Sequence, residues 1–152
     1  MMEAIMKAIF SQLLYFGLLL IAVNAFADNS AVLGKWKTID DETGKAKSIV
    51  DLYQQDGKLY GKIIELFRDS NEELDPVCSK CEGERKDQKV IGMVIIEGLE
   101  KQDDTWTNGT ILDPQNGKIY RCKIWLEENK LKVRGYWGIV FRTQTWYRPD
   151  SQ

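Results

Sequence analysis

Two cysteines three residues apart, in Cys78-Ser79-Lys80-Cys81, form the sharpest local motif of the sequence. The spacing suits a redox dithiol, a small structural disulfide, or part of a metal site. A reactive pair of this kind owes its stable thiolate to a helix N-terminus or to flanking cations. Here the following residues are Glu82-Gly83-Glu84-Arg85-Lys86-Asp87, which offer no apolar helical face. Glu82 and Glu84 oppose a thiolate, and Lys80 and Arg85 partly offset them. The motif is therefore read first as a disulfide, Cys78 with Cys81, pinning a long loop in an oxidising compartment. Two cysteines do not complete a zinc site without Cys122 and a carboxylate, so no metal is expected. Cys122 lies in the alternation Tyr120-x-Cys122-x-Ile124-x-Leu126, where a buried, inert thiol is the expectation. With three cysteines, at least one stays free or pairs with another molecule.

The chain has no histidine. That removes Ser-His-Asp and Cys-His catalysis and every His-based zinc, copper or haem site. Acid–base chemistry would fall to other side chains. The carboxylates Asp40, Asp41, Glu42 and Asp113 all sit in turn sequences. Asp is favoured there because its side chain bonds nearby backbone N–H groups. A glycosidase pair needs two carboxylates at a fixed separation across a cleft, which sequence does not supply. No catalytic residue and no cofactor are expected, and the reading leans away from an enzyme. The remaining chemistry is aromatic and cationic. Trp36, Tyr120, Trp137 and Trp146 are candidate walls of a ligand cavity, with Arg134, Arg142 and Gln144 as polar anchors. An inward arginine captures a carboxylate or phosphate bidentately, or stacks on a tryptophan to close one end of a barrel.

These side chains must be positioned by strands. Apolar residues after the leader recur with period two, and turn residues punctuate them. Eight runs are predicted: 34–39, 47–54, 58–67, 90–99, 105–112, 118–127, 130–136 and 142–148. Asp56-Gly57 between the second and third is the strongest short hairpin signal. Asp113-Pro114-Gln115-Asn116-Gly117 and Glu128-Asn129 turn the chain later. Asn108-Gly109-Thr110 matches a glycosylation acceptor but is read as a tight turn. A long polar segment from Arg68 to Lys89 interrupts the rhythm, with room for one helical turn. Eight short antiparallel strands close into an up-and-down barrel, filled by side chains or holding one small ligand.

The N-terminus carries Lys7, an apolar stretch from Ala8 to Val23, and Ala25-Phe26-Ala27. That order predicts a signal peptide over residues 1–27, cleaved after Ala27. A single domain, 28–152, would follow in the periplasm or outside the cell. The apolar stretch is shorter than the ~20 residues of a spanning helix, and no second one follows. A formal net charge of −2 leaves no basic excess, so nucleic acid is not an expected partner. The partner expected is a small apolar or amphiphilic ligand held in such an interior. The alternatives are a thiol–disulfide protein using Cys78 and Cys81, or an envelope structural protein. Oligomeric state is not legible.

Gly34-x-Trp36 resembles the signature of lipocalins and their calycin relatives, which place a late arginine across that tryptophan; Arg142 or Arg148 suits the role. A broader pattern spans nearly the whole mature chain. It combines Gly34-x-Trp36, Asp40-Asp41-x-x-Gly44-Lys45, Tyr60-Gly61-Lys62-Ile63 and Cys78-x-x-Cys81. It continues with Ile111-Leu112-Asp113-Pro114-x-x-Gly117-Lys118-x-Tyr120, Val133-Arg134-Gly135-Tyr136 and Arg142-Thr143-Gln144-Thr145-Trp146. Together these resemble the exported bacterial proteins of domain-of-unknown-function family 2147. The resemblance implies a bacterial source, an envelope or secreted location and a lipocalin-like barrel. It implies no activity and no site residues.

Overall fold

The computed structural model describes residues 31–150. The predicted signal peptide and its cleavage point lie outside the described residues. Eight strands follow in order: β1 Gly34–Ile39, β2 Ala46–Gln55, β3 Lys58–Leu66, β4 Val94–Gln102, β5 Thr105–Asp113, β6 Lys118–Glu127, β7 Lys130–Trp137 and β8 Val140–Trp146. Each pairs antiparallel with the next, in sheet order β1 to β8. The ring closes where Lys37 and Tyr147 exchange backbone hydrogen bonds of 2.7 and 3.0 Å. The predicted all-β, up-and-down, eight-stranded barrel is the observed one.

The turns explain the register. Asp56 and Gly57 both have positive φ, 51° and 75°, as do Glu128 and Asn129 at 50° and 61°. Two left-handed residues in a two-residue loop make the hairpin turn whose twist matches the strands it joins. Three sequence expectations need correction. β4 begins at Val94, because Val90–Gly92 straps the long loop to β3: Gly92, at φ 91°, donates its N–H to the Ile63 carbonyl at 2.7 Å. β8 begins at Val140 because Gly138, at φ 61°, turns the chain immediately after Trp137. Asn108-Gly109 is a bulge inside β5, where the register to β6 shifts between Trp106 and Gly109. A Cβ on Gly109 would lie 2.3 Å from the Glu97 carbonyl oxygen, so only glycine lets β4 approach.

The two ends of the barrel differ. One is plugged by Trp36, Leu59, Leu99, Trp106, Ile124 and Leu131, all at most 1% exposed. Arg148 straps this plug. Its guanidinium lies 3.8 Å from the centre of the Trp36 ring and donates to the carbonyls of Leu33 at 2.8 Å and Ala31 at 2.6 Å. Of the two arginines expected over Trp36, the structure assigns Arg148. The opposite end carries the β1–β2 loop, the segment 67–93 and the β5–β6 and β7–β8 turns. That segment holds one 3-10 turn, Gly83–Arg85, and the Cys78–Cys81 disulfide. The bridge docks on the β5–β6 turn: Cys78 Sγ is 3.3 Å from the Pro114 carbonyl oxygen. Gly117, at φ 73°, lies under Lys80 so closely that a Cβ would sit 1.9 Å from its carbonyl oxygen.

Candidate functional site

Alternation on β7 points Leu131, Val133, Gly135 and Trp137 into the barrel. The two-residue turn at Gly138 and Ile139 resets the parity, so β8 points Arg142, Gln144 and Trp146 inward. Leu131 and Trp146 belong to the packed end. Above them a cavity of about 350 Å³ opens between the β1–β2 loop and the β5–β6 and β7–β8 turns. It exists partly because Gly135 has no side chain. The nearest atoms to a Cβ there would be those of Tyr120 at 3.4 Å and Ile111 at 3.8 Å, on the cavity wall.

The walls are mainly apolar, including Ile63, Ile95 and Val133. Thr38 and Ser48 interrupt them, and their buried hydroxyls satisfy each other at 2.7 Å. A polar chain climbs the β8 side. Trp146 Nε1 donates to Gln144 Oε1 at 3.1 Å, and Gln144 Nε2 donates to Asp41 Oδ2 at 2.8 Å. Arg142 forms an ion pair with the same Asp41 oxygen. The Arg142 side chain is 66% exposed, so this pair contributes at most ~1 kcal/mol to stability. Asp41 comes from the β1–β2 loop, which Asp40 shapes. Asp40 Oδ1 accepts the Thr43 N–H at 2.8 Å and hydroxyl at 2.9 Å, and the Glu42 N–H at 3.1 Å. The Thr43 N–H, ahead of its hydroxyl, holds the Asp40 carboxyl below its ordinary pKa. On the far wall Asn116 donates to Tyr120 Oη at 3.1 Å and to Asp113 at 2.9 Å.

Five of the sequence-selected residues, Tyr120, Trp137, Arg142, Gln144 and Trp146, line this one cavity. Trp36 is elsewhere, in the plug beneath Arg148. Arg134 is on the outer face, 4.4 Å from the Phe141 ring centre and 5.0 Å from that of Trp125, with Nε donating to Thr143 Oγ1 at 2.7 Å. Sequence reasoning missed Thr38, Ser48 and Gly135 as cavity residues. Thr38 shares the inward parity of Trp36, and Ser48 that of Val50, so alternation alone could have found both. Nothing local to Asp41 indicates that it meets Gln144.

Cys78 and Cys81 are bonded and nearly fully buried, at 0% and 3% exposure. Cys122 is a buried free thiol, and its burial pushes its pKa up to about 12. Such a thiol stays protonated near neutral pH and is a poor nucleophile. Among the described residues no helix is long and apolar enough to cross a membrane.

No curated protein matches the chain. Among solved structures, protein HP1028 from Helicobacter pylori, described as belonging to the lipocalin family, is similar in fold. It is 21% identical, the match covers 78% of this chain and 83% of that one, and the TM-score is 0.65. The profile of DUF2147, described as an uncharacterized protein conserved in bacteria, matches residues 34–148. A match over most of the chain, on a lipocalin-like barrel, means that this protein belongs to the DUF2147 family.

Proposed function

We propose that this protein is a bacterial binding protein, exported after loss of residues 1–27, whose domain over 28–152 holds one small, partly apolar molecule and catalyses no reaction. The observation that carries the reading is the cavity of about 350 Å³, lined mainly by apolar side chains with Arg142, Gln144 and Asn116 among them. Ligand sites have this composition, with a few convergent polar groups on hydrophobic walls. Tyr120, Trp137 and Trp146 serve as walls, and Arg142 and Gln144 take an anionic head such as a carboxylate. Asp41 already shows the chemistry, since its carboxylate sits on both donors. Trp36 and Arg134 act from behind, one as part of the plug and one as an outer clamp on Phe141. The buried disulfide supports an oxidising compartment. Its burial also favours a structural bridge over a thiol–disulfide centre, which needs an accessible sulfur.

Native mass spectrometry of protein purified without denaturant tests the reading, with dodecanoate titration as the second arm. The expected result is one bound molecule per chain, or dodecanoate binding that weakens in Arg142→Gln. A ligand-free mass together with no dodecanoate binding would reject the proposal.

A further inference from the structure

The β7–β8 hairpin ends in Trp137-Gly138-Ile139-Val140-Phe141. Its large side chains are left in solvent: Ile139 is 98% exposed, Trp137 69%, Val140 65% and Phe141 55%. A run of four large apolar residues at a turn contradicts the polar composition that turns ordinarily carry. An exposed apolar cluster of this kind marks an interaction site.

The surroundings of the tip indicate what it meets. Cations stack on the aromatic rings at its base. Lys118 Nζ lies 5.2 Å from the Trp137 ring centre, Arg121 5.7 Å from that of Tyr136, and Arg134 4.4 Å from that of Phe141. Arg121 also donates to the Gly138 carbonyl at 3.2 Å, bracing the turn. From Lys130 to Arg148 the sequence carries five cations and no carboxylate, in a chain of net charge −2. Of these, Lys130, Lys132 and Arg148 lie towards the plugged end and Arg142 is paired with Asp41, so the cations at the tip are Arg134 together with Lys118 and Arg121 of β6. Of the acids beside it, Asp41 pairs with Arg142 and Asp113 with Asn116, while Glu82 shares with Arg85 and Lys118 a surface pocket that Trp137 also lines.

We infer that this hairpin docks on an anionic lipid surface, with Ile139 and Val140 entering the acyl boundary and the ring of stacked cations meeting the headgroups. The order of groups along the hairpin is that of an interfacial anchor: apolar apex, then Trp, Tyr and Phe, then Lys and Arg. Anionic headgroups attract such cations, and the attraction falls with salt. A protein partner would need an apolar pocket ringed by carboxylates; a bilayer supplies both features without a specific fit. Trp137 and Val140 also line the cavity, so docking brings its mouth against the lipid. The inference does not depend on whether the cavity holds a ligand.

The test is flotation with vesicles of mixed phosphatidylcholine and phosphatidylglycerol, against vesicles of phosphatidylcholine alone. The mixed vesicles should carry the protein upward, high salt should release it, and bromine-labelled lipid should quench Trp137. Ile139→Asp should weaken the partition by about tenfold or more. Because Ile139 is almost wholly exposed, the variant should keep its circular dichroism and melting temperature. Failure to bind mixed vesicles overturns the inference, as does equal binding by Ile139→Asp. Self-association that Ile139→Asp abolishes, with no vesicle binding, also overturns it and gives the tip to a second copy of the chain. Dodecanoate titration separates the two proposals, since Ile139 is not a cavity residue. Vesicle binding without dodecanoate binding sinks the carrier reading alone, and the reverse sinks the docking alone.

Discussion

Gly135→Leu asks whether the cavity is the binding volume. Gly135 has ordinary negative-φ strand geometry, so a side chain is accommodated by the backbone. The first added carbon meets Tyr120 and Ile111 only at van der Waals distance. The remaining carbons enter open space, so stability should stay within ~1 kcal/mol of the parent. The cavity of about 350 Å³ divided by ~30 Å³ for each methylene-sized group, the share of a liquid water, admits an alkyl chain of about a dozen carbons. Leucine's four side-chain carbons remove roughly a third of that space. A long chain would lose about four buried methylenes, or ~3 kcal/mol at ~0.8 kcal/mol each. That is roughly a hundredfold in Kd. Isothermal titration with an alkanoate series should show wild-type affinity rising with length until about a dozen carbons, then levelling. In Gly135→Leu the plateau should come about four carbons earlier, with short chains bound almost equally. Dodecanoate binding of wild-type strength in the variant, or an affinity indifferent to chain length, would refute the reasoning.

Two stability predictions follow from the plug and the buried thiol. Arg148→Ala removes the stacked cation and its charge-assisted bonds to the carbonyls of Leu33 and Ala31. Partial exposure reduces the loss to ~2–4 kcal/mol in urea unfolding, or about 10 °C in melting temperature; Arg148→Lys should fall between, and a loss below ~1 kcal/mol for the alanine variant would contradict the strap. For Cys122, folding holds the thiol protonated up to about 12, so the unfolded chain releases that proton first, near ~8.5. Its contribution is complete below that value and declines as pH rises towards 12, by up to ~1.4 kcal/mol per unit. Stability curves of wild type and Cys122→Ala, compared across this range, should converge with rising pH; parallel curves would show that the thiol is not held neutral by burial.

The fold was legible because its turns are chemically explicit. Asp56-Gly57 and Glu128-Asn129 place left-handed residues where hairpins need them, and the strand boundaries follow within a residue or two. The misread boundaries lie where apolar residues serve as turn or strap. Val90 and Ile91 look like strand until Gly92 redirects the backbone, and Gly138-Ile139 lacks the polar residues that announce a turn. That second turn also decides the site. Its two residues make odd numbers face inward on β7 and even numbers on β8, which separates Arg142 and Gln144 from Arg134. Until the turn is located, parity cannot be carried from one strand to the other, and charge alone made the arginines equivalent. Asp41 meets Gln144 across 103 residues of chain through loop geometry, which no local pattern encodes.

The plug under Arg148 has a consequence for traffic. Trp36 and its neighbours seal one end, so the chamber is a cul-de-sac rather than a corridor. If the chamber holds the proposed ligand, that molecule leaves as it entered, past Trp137 and Arg142. Exchange of such a ligand would then run through the end that Trp137 and Arg142 line, and what stands outside that end would set its direction.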